Sequence, residues 1–261
     1  DVLKDLKKKK ILALDTEFLW KNTYYPRLSL IQVSTGTKIY ILDCVLLDIS
    51  KLNGILSDEN IIKIFHSIRG DSSVLYNCLG AKIKNIFDTQ LAEEILFKNN
   101  GGQISYKNLV KKYFFIELSK SETNSNWEKR PLRNEQINYA AEDVRYLHFT
   151  MKIQVKLLKK SNKLKSFYSI CEKEKNLGEE DFLNSRLRRL LKKNRKISDT
   201  EIKIFRWREN QAKKLDVPPS YIFQDKYLKK LKKVIDDRTD NDLRWIIKNE
   251  PSRINFSEFF L

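Results

Sequence analysis

Residues 11–18, with the sequence ILALDTEF, restrict the fold more than any other stretch of this chain. They form an apolar run that carries two carboxylates two residues apart, Asp15 and Glu17. In an extended strand, residues i and i+2 point to the same face, so both acids would project together from an otherwise buried strand. Such a pair is costly unless a positive charge lies between the acids, and a divalent cation with oxygen ligands is one candidate. The alternative, which this pair favours when taken alone, is a strand end whose acids point into solvent.

Short apolar or alternating runs surround this stretch and predict an α/β domain. Three strands are predicted at 11–14, 28–33 and 38–42, with a hairpin turn at 34–37. Two buried strands follow, at 61–65 and 83–87. The helices predicted in this half are 47–56, 71–79, 89–97 and 105–113. A meander that leads into alternating strands and helices is typical of a mixed sheet with flanking helices.

The second half of the chain is predicted to be helical. After a polar, irregular segment at 117–131, residues 134–160 predict one continuous helix. Ser198 and Asp199 can cap a later helix, and Asp225 can cap the one after it. The predicted division is a first domain at 1–160, a helical connector at 161–197 and a helical domain at 198–261.

Charge and cysteine content limit the classes of protein that fit. The formal net charge of +17 divides into +4 for residues 1–150 and +13 for residues 151–261. This difference suggests a polyanion-binding second half, although a general excess of lysine is an alternative for part of it. Three scattered cysteines without a Cys-x-x-Cys pair argue against a disulfide framework or a zinc site. Without an apolar run of ~20 residues or a secretory signal, we expect a cytoplasmic protein with no membrane partner, and its start at Asp1 suggests trimming.

Two further features place polar groups where they could meet the first acids. Asp71 follows the buried strand at 61–65, where an ordinary helix cap is the alternative role. Tyr139 and Asp143 lie four residues apart in a predicted helix and therefore share one face. Taken alone, this pair is typical of a packed ring beside a solvated acid.

Together these features resemble the DEDD exonuclease superfamily, tyrosine subtype, and within it the ribonuclease D family. The shared order is Asp-x-Glu on a first strand, Asp after a later strand, and Tyr-x-x-x-Asp on a long helix. The similarity covers about residues 11–150, and residues 198–261 look like one HRDC helical domain. Its further motifs are 14–18 (LDTEF), 24–32 (YYPRLSLIQ), 88–90 (DTQ), 120–122 (KSE) with Trp127, and 130–132 (RPL).

The resemblance implies a ribonuclease H-like α/β fold, a mixed sheet with flanking helices, followed by a small all-α HRDC-like domain. It also implies two divalent metal ions, Mg²⁺ or Mn²⁺, and removal of nucleotides from an RNA 3′ end. Four carboxylates at one place would repel one another unless two such cations neutralised them. Tyr139 is expected to orient the attacking water, because a phenol with a pKa of ~10 is a poor base at neutral pH. The residues implied as metal ligands are Asp15, Glu17, Asp71 and Asp143.

The resemblance also suggests residues that contact substrate. Lys120 aligns with a family lysine near the scissile phosphate, where it would stabilise developing charge. Phe18 could stack on the terminal base or pack in the core. His66 and Trp127 have structural alternatives, as a hydrogen-bonded histidine at a strand end and as a ring that packs its loop. The full substrate-binding set is Thr16, Phe18, His66, Lys120 and Trp127.

The sequence therefore predicts a metal-dependent 3′→5′ exoribonuclease that trims structured RNA such as tRNA precursors, as a monomer. Without a Gly-rich phosphate loop, no nucleotide cofactor is expected. The alternatives are a general 3′ exonuclease acting on DNA or short oligonucleotides, a non-catalytic RNA-binding platform, and a helicase-associated DNA adaptor. A non-catalytic platform would be expected to lack at least one of the four carboxylates, and all four are present. The chain departs from the family in having one HRDC-like unit and, at 1–10, too little length for the usual first strand.

Overall fold

A computed structural model describes residues 1–97, 103–119, 121–193, 196–239 and 242–261 of the chain. Contacts within these ranges divide the chain into two compact units. The first consists of Asp1–Leu19 and Arg27–Glu179, and the second of Trp20–Pro26 and Glu180–Leu261. No helix in the described ranges combines the length and the apolar character needed to cross a membrane.

The first unit is built on a five-stranded mixed sheet with the order β3-β2-β1-β4-β5. The central strand β1 pairs antiparallel with β2 and parallel with β4. The outer strands continue these directions, because β3 is antiparallel to β2 and β5 is parallel to β4. The predicted meander and mixed sheet are thus confirmed. The strands are β1 Ile11–Leu19, β2 Arg27–Ser34, β3 Ile39–Asp43, β4 Ile62–Phe65 and β5 Ile86–Asp88.

The core of this unit explains why β1 reads as an apolar run. Leu12 and Ala13 project to opposite faces of the sheet, and both are fully buried. The sheet is therefore covered on both faces, as expected for an α/β unit. Its described helices are α1 Val2–Lys7, α2 Asn53–Leu56, α3 Ile68–Leu79, α4 Thr89–Phe97, α5 Tyr106–Phe114, α6 Asn134–Arg145, α7 Leu147–Lys160 and α8 Leu164–Gly178, with a 3₁₀ turn at Ser50–Leu52.

Three helix predictions were wrong in their extent. The helix predicted at 47–56 begins only at Ser50, as a 3₁₀ turn followed by α2. The helix α3 begins at Ile68 rather than Asp71, because the carboxylate of Asp88 accepts hydrogen bonds from the backbone N–H groups of Ser67 and Ile68, at 3.1 and 2.8 Å. The helix predicted at 134–160 is interrupted at Tyr146 and forms α6 and α7.

In the second unit, the described secondary structure is entirely helical. Ser198 caps α10 as predicted, since its hydroxyl accepts from the N–H of Glu201 at 3.3 Å and the Glu201 carboxylate accepts from the N–H of Ser198 at 2.9 Å. The predicted cap Asp225 instead begins a 3₁₀ turn, Asp225–Tyr227, and accepts a hydrogen bond from Arg208. The helices are α9 Phe182–Lys193, α10 Asp199–Leu215, α11 Pro219–Ile222, α12 Leu228–Asp236, α13 Leu243–Ile246 and α14 Glu250–Phe260.

The aromatic segment Trp20–Pro26 follows β1 directly but belongs to the second unit. Its Tyr24 is buried, and the hydroxyl donates a hydrogen bond to the carboxylate of Glu209 at 3.2 Å. The ring of Trp20 stacks on Phe182, with 4.8 Å between the ring centroids. This segment therefore fills part of the second unit's core.

The predicted domain division of 1–160, 161–197 and 198–261 stays a prediction. Among the described residues, α8 packs within the first unit and α9 lies in the second. The contact of α8 with α3 is close at Gly178, where a Cβ atom would lie 2.5 Å from the carbonyl oxygen of Arg69. A residue with a side chain at this position would force α8 away from α3.

Candidate active site

Asp15 and Glu17 lie where β1 extends beyond its parallel neighbour. The pairing of β1 with β4 ends at Ala13, whereas the pairing with β2 continues through both acidic positions. The two carboxylates therefore sit at the carboxyl end of the parallel strands, where α/β folds commonly form their sites. The strand period explains why both project to the same face.

The helix α6 brings the third acid to this place. Tyr139 and Asp143 share one face of α6, and one carboxylate oxygen each of Asp15, Glu17 and Asp143 lie within 4.8 Å of one another. Asp143 follows Glu17 by 126 positions in the sequence, so only the fold brings these carboxylates together. A carboxylate cluster of this kind could hold a metal ion.

Asp71 lies beside this group rather than in it. It is the fourth residue of α3 and is buried, and its Oδ1 accepts a hydrogen bond from the hydroxyl of Thr16 at 2.6 Å. Thr16, expected to contact substrate, is itself buried and orients Asp71. Asp88 has a structural role, because it also accepts from the N–H groups of Gln90 and Leu91 at the start of α4.

Burial and mutual repulsion raise the pKa of every carboxyl here. Burial, followed by the charges of Asp15, Asp143 and Asp71, raises the pKa of Glu17 to about 9. Burial, followed by Glu142 and Asp71, raises the pKa of Asp143 to about 7. Burial, followed by the charge of Asp143, raises the pKa of Asp15 well above its usual range. Burial, followed by the charges of Asp15 and Asp88, does the same for the pKa of Asp71. The protein alone therefore disfavours the ionised form of this cluster.

The residues present fit a divalent cation. In the ranges that the structure describes, no lysine or arginine forms an ion pair with Asp15, Glu17 or Asp143. The cluster offers only carboxylate oxygens, which are the ligands that Mg²⁺ and Mn²⁺ prefer. A bound cation would supply the positive charge that the ionised carboxylates lack.

Tyr139 presents a protonated hydroxyl to this site. Burial, followed by the charge of Asp143, raises the pKa of Tyr139 to about 12. Its hydroxyl lies 3.4 Å from that of Thr123, and its ring lies 6.0 Å from the ring of Trp127. Because the phenol stays protonated at neutral pH, it can donate a hydrogen bond but cannot act as a base.

The other predicted substrate contacts stay predictions. Phe18 follows an irregularity in the β1–β2 register and is half-buried, which fits both of its alternatives. Both ring nitrogens of His66 have protein partners, the hydroxyl of Thr89 at 3.0 Å and the carbonyl of Ile104 at 3.1 Å. Trp127 is 2% exposed and packs with Leu30 and Ala140, which fits its structural alternative. Lys120 lies outside the described residues.

The sequence analysis did not single out Tyr106. Its hydroxyl donates to the carbonyl of Glu142 at 3.1 Å and accepts from the N–H of Tyr146 at 3.2 Å. It thereby replaces the hydrogen bond that these two groups would form in a continuous helix, which separates α6 from α7. The turn that it fixes carries Asp143. Only long-range packing reveals this role, because Tyr106 otherwise reads as an ordinary residue at the start of α5.

Gln32 is a second residue that pattern alone did not identify. It lies directly opposite Asp15 in the β1–β2 pair, so both side chains share one face. Its side chain is buried, and neither amide atom has a hydrogen-bond partner among the described residues. Because an unpaired buried amide is costly, Gln32 is a candidate partner for a water beside the carboxylates.

Comparison with known proteins identifies the family. A family model described as 3'-5' exonuclease matches residues 1–161. Ribonuclease D of Desulfotalea psychrophila is 36% identical over 230 residues, which are 83% of this chain and 59% of that protein. This chain therefore spans about six tenths of that relative's length. The resemblance to ribonuclease D is confirmed.

Solved structures share the fold of this chain. Escherichia coli RNase D has a TM-score of 0.84 at 23% identity, over 99% of this chain and 71% of that one, which confirms the α/β fold. Brucella melitensis NrnC with bound Mg²⁺ has a TM-score of 0.59 at 25% identity, and NrnC bound to pGG has 0.61 at 26%; both cover 67% of this chain and 86% of that one. The chain belongs to the 3′-5′ exonuclease family.

Proposed function

We propose that this chain is a metal-dependent 3′→5′ exoribonuclease. The observation that carries the proposal is the convergence of Asp15, Glu17 and Asp143, with carboxylate oxygens within 4.8 Å, in a member of the 3′-5′ exonuclease family. The ribonuclease D relatives favour RNA as the substrate. Monomeric state, cytoplasmic location and tRNA precursors as substrates stay predictions.

We assign two divalent ions to the site, with Asp71 as the fourth carboxylate. Bound there, the ions would neutralise the carboxylates, lower the pKa of water and stabilise charge on the leaving oxygen. The hydroxyl of Tyr139 then orients the attacking water by donating or accepting one hydrogen bond, without taking its proton. Thr16 holds Asp71 in place through their 2.6 Å hydrogen bond.

The direct test uses two single strands of one sequence, RNA and DNA, each labelled at the 5′ end. Each is incubated with Mg²⁺ or Mn²⁺, with EDTA as the control. We expect a metal-dependent ladder that shortens from the 3′ end of RNA. Equal ladders on both strands would make the protein a general 3′ exonuclease, and absence of cleavage would refute the proposal.

A pair of variants in α6 tests the assigned site. Asp143→Asn should abolish hydrolysis and leave RNA binding largely intact, because the basic second half of the chain supplies most of the affinity. Glu135→Gln is the matched control, since it removes one carboxylate from the same helix at a side chain that is 67% exposed. Hydrolysis at the wild-type rate by Asp143→Asn would show that the site is wrongly assigned.

Very short oligonucleotides are a second candidate substrate. The observation that favours them is the similarity to NrnC, whose structure was solved with pGG bound. We would compare kcat/KM for a ribonucleotide dimer and for a 20-residue RNA of related sequence. A higher value for the dimer would favour this second function, and a higher value for the long strand would favour processing of RNA 3′ ends.

A further inference from the structure

The second unit contains a cavity of about 560 Å³ that is lined by charged residues. It lies against α9 and α10 and the chain between Pro219 and Lys226. A second cavity, of about 350 Å³, shares Lys193, Asp225 and Lys226 with the first. We call these two adjoining cavities the basic groove. Its charged residues are the cations Arg186, Arg189, Lys193, Lys196, Arg208, Lys226 and Lys229 and the acids Glu201, Glu209 and Asp225.

The three acids of the basic groove already have protein partners. Glu209 accepts hydrogen bonds from Arg186 at 2.8 Å and from Arg208 at 3.1 Å. Asp225 accepts from Arg208 at 2.6 Å. Glu201 is occupied by the cap of α10. The acids therefore offer little negative charge to the remaining cations of the groove.

Among the described residues, five cations of the basic groove, by contrast, have no acidic partner. Within the described ranges, none of them forms an ion pair. Only Lys226 makes a cation–π contact there, with its Nζ 5.0 Å from the ring centroid of Tyr227. These cations are Arg189, Lys193, Lys196, Lys226 and Lys229. The groove thus carries an excess of positive charge that a ligand could neutralise.

The lining of the groove includes a buried arginine that several contacts hold in place. Arg208 is 4% exposed, and its guanidinium lies 4.9 Å from the ring centroid of Phe205 and 5.1 Å from that of Phe223. Its Nε is buried without a hydrogen-bond partner among the described residues. Ion pairs and ring contacts therefore hold this cation in one orientation before any ligand binds, which lowers the entropy cost of binding.

The spacing of the cations suits a chain of phosphates. Arg189 and Lys193, two of these unpaired cations, occupy positions i and i+4 of α9, so they share one helix face. At 1.5 Å per residue these two positions lie about 6 Å apart along the helix, so both side chains can contact neighbouring phosphates of one strand. A single small anion would use only part of the groove.

We propose that the basic groove binds the phosphate backbone of a single-stranded RNA, independently of its sequence. The choice of RNA as the ligand rests on the proposed function, because the cations of the groove would bind the phosphates of either nucleic acid. The charge of the second half of the chain predicts polyanion binding, and the residues of the basic groove are the ones that would provide it.

The test measures RNA affinity against salt concentration, in EDTA so that no strand is hydrolysed. The groove variant combines Arg189→Gln, Lys193→Gln and Lys226→Gln, all at exposed positions. Each phosphate contact contributes about 0.7 to the slope of log K against log salt, so losing three should reduce the slope by about 2. The affinities of the variant and the wild type should converge towards 1 M salt, so this slope difference corresponds to about 100-fold weaker binding at 0.1 M.

The matched control removes three charges elsewhere in the second unit. It combines Lys203→Gln, Arg206→Gln and Lys248→Gln, which are exposed and do not line the groove. Unchanged affinity in the groove variant, or an equal loss in the control variant, would overturn the proposal. A wild-type protein that binds RNA but yields no ladder with metal would refute the proposed function and leave the groove supported.

Discussion

Replacing Glu17 by Gln should stabilise the metal-free protein while it abolishes hydrolysis. With its pKa raised to about 9, Glu17 must take up a proton when the protein folds at pH 8, whereas in the unfolded chain it is ionised. Protonating a carboxyl with an ordinary pKa near 4.5 at pH 8 would cost about 5 kcal/mol of folding free energy, at 1.36 kcal/mol per pH unit. Because Glu17 is only half-buried, solvent screening reduces this to about 2 kcal/mol.

The sign of the pH dependence follows from the raised pKa. Since the folded-state pKa of Glu17 is higher than the unfolded one, its stabilising contribution is complete below pH ~4.5 and is lost as pH rises towards 9. The advantage of Glu17→Gln should therefore be larger at pH 8 than at pH 5. A gain of about 2 kcal/mol corresponds to a rise in Tm of roughly 4–8 °C for a chain of this size.

Thermal unfolding in EDTA at pH 5 and pH 8 measures this difference, with Glu135→Gln as the control. Adding Mg²⁺ at pH 8 should raise the Tm of the wild type more than that of Glu17→Gln, because a cation stabilises the ionised cluster. Equal Tm values for the variant and the wild type in EDTA at pH 8 would refute the reasoning. So would an advantage of the same size at pH 5.

Four further substitutions test the packing around the site and in the second unit. Tyr106→Phe should lower kcat about tenfold with little change in KM, because it releases the turn that carries Asp143; unchanged kcat would contradict this role. Gly178→Ala should lower the Tm, since the new Cβ would meet α3. Gly70→Ala, whose new Cβ would have no atom within 4 Å, should instead raise the free energy of unfolding by about 0.5–1 kcal/mol. Equal effects of the two substitutions would exclude the close contact at Gly178. Tyr24→Phe should cost about 1–2 kcal/mol in urea unfolding of the second unit through its lost hydrogen bond to Glu209, and no loss would show that water replaces it.

Local periodicity predicted much of the first unit. The alternation and apolar runs around residues 11–42 specified three antiparallel strands, because side chains repeat every two residues in a strand. The same period placed Asp15 and Glu17 on one face, and the helical period did so for Tyr139 and Asp143. These are predictions within one element, which sequence spacing determines directly.

Features that depend on distant residues could not be predicted in this way. Asp88 accepts backbone hydrogen bonds at the start of α3, 20 and 21 residues before it in the chain, so the helix boundary depends on another strand. The break at Tyr146 depends on the hydroxyl of Tyr106, which lies 40 residues away. The aromatic segment Trp20–Pro26 follows β1 in sequence, and only its contacts place it in the second unit.

The described parts of the two units contain unpaired charges of opposite sign. In the first unit, Asp15, Glu17 and Asp143 have no cationic partner within the described ranges, and burial followed by repulsion raises the pKa of each. In the second unit, the acids of the basic groove are paired, whereas cations such as Arg189 and Lys193 have no acidic partner in the described part of the chain. Buried or clustered charge of one sign is costly unless a ligand of the opposite sign binds. A divalent cation satisfies the first arrangement and a phosphate backbone the second, so one complex of metal and RNA would neutralise both.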